Sequence, residues 1–342
     1  MKIISGLISS AVATAFTLAL ASSAHAQAGY DKAIKIALTN SLEHPIAVGG
    51  TRFAEGIEAK SGGKMKARAY PNATLGNDVQ VISSLQGGTV EAAVVSIGLL
   101  SSMVKEYSLY TLPGVFHNTK EADALMDGPF GTRLRDRLAE HRLVGLSYFE
   151  HGFKNVTNNK RPITKVEDIS GLKIRITQTP SLVDVFQALG ANPVPMAFGE
   201  LYSAMESGAI DGMETTLVTF ENGKFFEVQK NIALTRHVYD PLILIFSRPV
   251  WDKMSPEQRK IVSEAATDAT RAQRQATRDR EAKLMVDLKQ KGVTITELAP
   301  AEMNRMRDRL APVSDKYRKI VGEENSKDFF AELAAVRATA AK

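Results

Sequence analysis

From Glu257 to Lys291 the chain contains neither glycine nor proline, and its pattern stays helical throughout. Ser255-Pro256-Glu257-Gln258 opens the run as a helix start should: a serine N-cap, proline at the first helical position and glutamine at the third. About 36 residues at 1.5 Å each make a helix of about 54 Å. A rod of that length exceeds one small domain and is long enough to span two.

The rest of the chain alternates strands with helices. Strands are predicted at Lys32–Leu38, Met65–Tyr70, Ala92–Ile97, Leu143–Tyr148, Leu172–Ile176, Ile210–Glu214, Tyr239–Phe246 and Val293–Leu298. Helices are predicted at Ile46–Lys60, Val79–Leu85, Arg133–His141, Pro180–Leu189 and Phe198–Ser207, with a further one opened by a capping box at Asn118–Glu121. This rhythm predicts an α/β fold with a mostly parallel sheet covered on both faces. Two such lobes joined by crossing strands enclose a cleft, and ligands sit beyond the carboxyl ends of the strands.

The N-terminus is of a different kind. Lys2 precedes an uncharged run from Ile3 to Ala21, and Ala24-His25-Ala26 is a small-x-small cleavage pattern. Residues 1–26 therefore read as a signal peptide, with Gln27 the first mature residue and the periplasm the expected compartment. The chain has no cysteine, so packing alone must hold it. The net charge of +5 comes without a dense Lys/Arg run, which argues against nucleic acid as a partner. There is no His-Glu-x-x-His and no Gly-x-Ser-x-Gly, and cysteine chemistry is excluded. Neither a catalytic residue, a metal site nor a cofactor is expected.

In Leu172-Lys173-Ile174-Arg175-Ile176 the apolar residues share one face and the two cations the other. Arg175 thus points away from the local core, where an arginine can grip a carboxylate with two parallel hydrogen bonds; a solvent-facing arginine fits the same pattern. The segments Pro195–Tyr202 and Ser207–Glu214 carry helix-to-strand turns with Asp211-Gly212 as the tightest.

Taken in register, these segments resemble the solute-binding component of tripartite ATP-independent periplasmic (TRAP) transporters, of the C4-dicarboxylate-binding type. The resemblance runs from about Ile34 to the long helix. It is carried by Tyr70-Pro71-Asn72-Ala73-Thr74-Leu75-Gly76, Leu112-Pro113-Gly114-Val115-Phe116, Gly152-Phe153-Lys154-Asn155-Val156-Thr157-Asn158, Gly171-Leu172-Lys173-Ile174-Arg175, Leu189-Gly190-Ala191-Asn192-Pro193-Val194-Pro195-Met196 and Gly208-Ala209-Ile210-Asp211-Gly212-Met213-Glu214. It implies a periplasmic binding protein fold: two α/β lobes with a ligand cleft, and the long helix of the C-terminal half bridging both. It also implies that Arg175 is the carboxylate clamp and that Phe198 packs on the ligand. Thr39 and Ser96 fall where members present polar contacts from the first lobe, and Glu214 and Thr215 follow the Asp-Gly turn of the second. Two departures stand out. Many members carry arginine at Lys154, and a lysine keeps the charge but loses the planar grip. Many carry an asparagine after Glu214, and Thr215 cannot offer an amide's paired donor and acceptor.

The expected lobes are residues 27–151 with about 240–280, and residues 152–239 with about 281–342. The expected ligand is a small organic monocarboxylate, a 2-hydroxy or 2-oxo acid with an apolar tail against Met196, Phe198, Met213 and Leu217. A sugar acid or C4-dicarboxylate is the alternative. The expected partner is a TRAP-type permease, with the protein a monomer; a periplasmic sensor on the same fold is the other reading. His44, in the Ser41–Pro45 turn, is either a ligand contact or a loop histidine satisfied by its neighbours. His237 and Tyr239 line either the cleft or the hinge.

Overall fold

The computed structural model describes residues 29–340; the expected signal peptide lies outside them. The strands are β1 (Ile34–Ala37), β2 (Ala67–Tyr70), β3 (Ala92–Ser96), β4 (Leu143–Asn158), β5 (Lys173–Ile176), β6 (Asn192–Pro195), β7 (Gly212–Thr215), β8 (Asn231–Ser247) and β9 (Thr294–Thr296). The helices are α1 (Pro45–Lys60), α2 (Asp78–Gly87), α3 (Thr119–Asp127), α4 (Pro129–Arg137), α5 (Pro180–Ala188), α6 (Leu201–Glu206), α7 (Leu217–Asn222), α8 (Arg248–Trp251), α9 (Pro256–Gln290), α10 (Pro300–Val321) and α11 (Glu323–Ala340). None of the described helices is long and apolar enough to cross a membrane.

All the described strands join one sheet in the order β2-β1-β3-β8-β4-β7-β5-β6, with β9 beside β8. The two ends are parallel, as the alternation predicts. The middle is not: β3 with β8, β8 with β4 and β4 with β7 are antiparallel. The reason is that β4 and β8, 16 and 17 residues long, each run through both lobes in opposite directions. Both strands extend well beyond the segments predicted for them. Three register shifts interrupt their pairing, at Gly145/Ser147, Glu150/Gly152 and Lys154/Val156. Gly152 sits at the second with φ +113°, a conformation that side chains other than glycine's rarely tolerate.

One lobe gathers β1, β2 and β3, the other β5, β6 and β7. On one face of the sheet each lobe has its own core. Phe53, Ile57 and Ala265 belong to the first, Met213, Phe220 and Leu284 to the second. On the other face a single core runs under both, from Leu85 and Leu109 through Tyr148 to Ile174 and Phe186. Helix α10 packs there on α5 and on the turn at 105–111, while α11 packs on α3 and α4. The last helix thus sits with elements of the first expected lobe as well as with α10 of the second.

The long helix is as predicted. Ser255 Oγ accepts from Gln258 N at 3.2 Å, and Gln258 Oε1 accepts in return from Ser255 N at 3.0 Å. Its first half lies against α1 and its second half in the core of the other lobe. Midway, Gln273 holds both backbone groups of Glu150, accepting from its N–H at 2.8 Å and donating to its carbonyl at 2.6 Å. The helix is thereby fastened to β4 beside the Gly152 bulge.

Candidate functional site

Between the lobes lies a cavity walled by the carboxyl ends of strands from each. The first lobe contributes Thr39 and Asn40 after β1, Asp78 at the start of α2, and Ser96 at the end of β3. The crossing strands contribute His151 and Lys154 from β4 and Asp240 and Leu242 from β8. The second lobe contributes Arg175 and Thr177 at the end of β5, Phe198, Glu214 and Thr215 of β7, and Thr219 of α7. A second compartment continues past Arg175, lined also by Leu99, Gln178, Met196 and Glu200.

Arg175 is only 7% exposed. Its Nε and Nη2 donate to the carbonyl oxygen of Met196 at 3.0 and 2.8 Å. It makes no ion pair among the described residues. Burial holds its pKa below the ordinary arginine value, and Glu214, Asp78 and Asp240 pull the other way.

Lys154 is also buried, but its charge is committed. Its Nζ lies 2.9 Å from Glu214 Oε2 and 3.2 Å from Asp240 Oδ2, and donates to Thr177 Oγ1 at 3.0 Å. Burial works against its ammonium, yet Asp240 and Glu214 overcome it and raise the pKa. Asp240 answers in kind: burial is outweighed by Lys154, and its carboxyl is held below the usual range. It also accepts from Ser96 Oγ at 2.7 Å and pairs with His151 Nδ1 at 2.8 Å. Asp78 accepts from Thr39 Oγ1. Burial raises its pKa, with Thr39 and Arg175 offsetting part of the rise.

Of the residues singled out in the sequence, Arg175, Phe198, Lys154, Thr215, Ser96, Thr39 and Glu214 all reach the cavity. His44 is not part of its wall: Nδ1 accepts from Ile46 N at 3.1 Å, capping α1, and Nε2 lies 3.1 Å from Thr219 Oγ1. His237 and Tyr239 are buried elsewhere, against Phe186 and against Phe116 and Phe153. Of the residues expected to form an apolar tail site, Phe198 lines the cavity. Met213 and Leu217 belong to the core behind β7, and Met196 lines only the outer compartment. Asp78, His151 and Asp240 were not anticipated. Asp240 follows Tyr239 in an apolar strand, where a lone acid is the one sequence sign of a polar duty.

Residues 36–320 match the family of bacterial extracellular solute-binding proteins, family 7. The 2,3-diketo-L-gulonate-binding periplasmic protein of Escherichia coli K12 is 32% identical over 252 residues, covering 73% of this chain and 77% of its own length. A TRAP periplasmic solute-binding protein from Ochrobactrum anthropi, with a C-terminus bound in its ligand pocket, has a similar structure. The TM-score is 0.80 at 45% identity, with 90% of this chain and 96% of that one covered. The sugar-acid-binding protein of Advenella mimigardefordensis in complex with galactonate superposes with TM-score 0.88 at 34% identity, with 90% and 99% covered.

Proposed function

The chain belongs to family 7 of the bacterial extracellular solute-binding proteins, and on that premise we propose that it captures a hydroxylated monocarboxylate between its lobes and hands it to a TRAP-type permease. It does so as a binding protein, returning its ligand unchanged, in the periplasm after loss of residues 1–26.

One observation carries the reading. Among the described residues that line the cavity, Arg175 is the one cation without a carboxylate partner, since Lys154 is spent on Glu214 and Asp240. The guanidinium edge turned away from Met196 still offers a parallel pair of N–H donors, which matches a carboxylate. The other polar groups of the wall include the acidic Asp78, Glu214 and Asp240 and the hydroxyls of Thr39, Ser96 and Thr215, set among the apolar Ile46, Val94, Val95, Phe198 and Leu242. Acceptors of that kind suit ligand hydroxyls, whereas a second ligand carboxylate meets like charge. A C4-dicarboxylate is therefore disfavoured, and the sugar acid named for the Advenella relative has the right donors. The bound C-terminus of the Ochrobactrum relative agrees with a site that takes a terminal carboxylate.

The test is a thermal-shift series with D-galactonate, D-erythronate, lactate, pyruvate, succinate and an uncharged sugar. Hydroxylated monocarboxylates should give the largest shifts, a ligand at 100 times its Kd adding about 2.7 kcal/mol. A largest shift from succinate, or from the sugar with all acids inert, overturns the proposal.

A further inference from the structure

The two lobes touch across the cleft through a buried chain of hydrogen bonds outside the carboxylate clamp. His44 heads α1, which packs in the core of the first lobe; Thr219 lies in α7, which packs in the core of the second. His44 Nδ1 accepts the backbone N–H of Ile46, so in the neutral ring the proton sits on Nε2. That N–H points at Thr219 Oγ1, 3.1 Å away. Thr219 Oγ1 in turn lies 2.7 Å from His151 Nε2, and the other nitrogen of that ring is 2.8 Å from Asp240 Oδ2 on β8. His44 and Thr219 are each 2% exposed, which leaves no room for water to replace the bond while the lobes are together.

We propose that Thr219 is a latch: its hydroxyl ties the head of α1 to the crossing strands and so holds the lobes closed over the ligand. The bond between His44 and Thr219 exists only with the lobes together, because its partners ride on different cores. Opening strands both groups or gives them to water, so the bond contributes to the closed state and not to the fold of either lobe. Thr219 also reaches the cavity wall, but His44 does not, and this separates latching from ligand contact. The inference rests on the capture reading only in placing the ligand between the lobes.

The experiment measures the distance between lobes. The chain has no cysteine, so Lys64→Cys and Ser207→Cys, both at exposed positions of opposite lobes, accept a single pair of fluorophores. Three variants are built on that background. His44→Asn keeps a good N-cap for α1 but falls short of Thr219. Thr219→Val removes the hydroxyl at constant shape, and Thr219→Ser restores it. His44→Asn and Thr219→Val should each lower the ratio of closed to open molecules about three- to tenfold, both free and with D-galactonate. D-galactonate should leave His44→Asn correspondingly faster at an unchanged association rate. Thr219→Ser should behave as wild type. Distance distributions of wild type, His44→Asn and Thr219→Val that coincide would falsify the latch, as would a serine variant no better than valine. If D-galactonate binds none of the proteins, the capture reading suffers, while the distributions of the free protein still decide the latch.

Discussion

Arg175 is held side-on by Met196: a single carbonyl oxygen receives its Nε at 3.0 Å and its Nη2 at 2.8 Å. The bond fixes the plane of the guanidinium without using its charge, and Nη1 has no partner among the described residues.

Arg175→Ala should therefore leave the fold intact and abolish tight binding. Truncating one partner of a desolvated charge pair costs about 2–5 kcal/mol, roughly a 30- to 5000-fold rise in Kd. Arg175→Lys should recover only part, because an ammonium lacks the fork. Titration calorimetry with the ligand found by screening reads this directly. An alanine variant within about threefold of wild type, under ~0.7 kcal/mol, rules out the clamp.

Lys154 plays a different part. It sits between Glu214 and Asp240, each nearly inaccessible to water. Lys154→Met should destabilise the protein by about 3–5 kcal/mol, since two buried carboxylates lose their counter-charge. Some of that loss should return near pH 5, where an unpaired buried carboxyl can take up a proton. Urea unfolding at pH 5 and 7.5 checks both parts. A variant as stable as wild type at pH 7.5 would show that the pair is not needed.

Buried groups on the two crossing strands have their own pH signature. Burial pushes the Glu150 carboxyl up to about 7 from 4.5, although Arg278 pulls it down. Between those values the folded state keeps a proton that the unfolded chain has lost. Its contribution is full below pH 4.5 and declines by about 1.4 kcal/mol per pH unit until it is gone above 7. Burial pushes His237 down to about 4 from 6.5, and this works in the opposite sense, stability rising with pH across that window. The two slopes largely cancel in wild type. Glu150→Gln should expose the rise, so that the stability of wild type minus variant falls from pH 4.5 to 7. A difference that stays constant across the series argues against a buried, protonated Glu150.

Gly98, in the turn after β3, faces Thr179 at the start of α5. A Cβ at position 98 would come within 2.7 Å of Thr179 Oγ1. The two residues belong to opposite lobes, so Gly98→Ala should wedge the cleft and weaken binding by roughly 1–3 kcal/mol, the usual range for overpacking. Adding Thr179→Ala should relieve most of it. Calorimetry on the single and double variants decides, and equal affinities for all three would remove the wedge.

Local signals in the sequence carry much of this fold. The Ser255 cap, the strand–helix rhythm of both lobe ends and the position of Arg175 opposite Ile174 and Ile176 all rest on neighbours within a few residues. What is missing depends on distant pairing. Strand β4 looks finished at Tyr148 because bulges at Gly152 and Lys154 break its alternation and its cleft face is charged. The mixed sheet order follows from β8 inserting between β3 and β4, which no local pattern announces. Seven of the eight site residues named from sequence line the cavity, but His44 turned out to cap α1. Asp240 and His151 meet across two strands remote in sequence. Met213 is next to Glu214 along the chain, yet the pleat sends it to the opposite face, and Leu217, on α7, joins it in the core there.

The insertion of β8 also bears on when the protein can fold. Strand β3 ends at Ser96, and its neighbour begins at Asn231. Helix α1 waits longer still, for Ala265 of α9 to cover Gly56. A chain emerging from the ribosome thus has three strands of its first lobe early but an open sheet edge until most of the molecule has been synthesised. Neither lobe is a separate folding unit, and closing the sheet requires contacts between segments far apart in sequence, which form slowly. In this topology the sheet of a member of an extracellular family closes only late in synthesis.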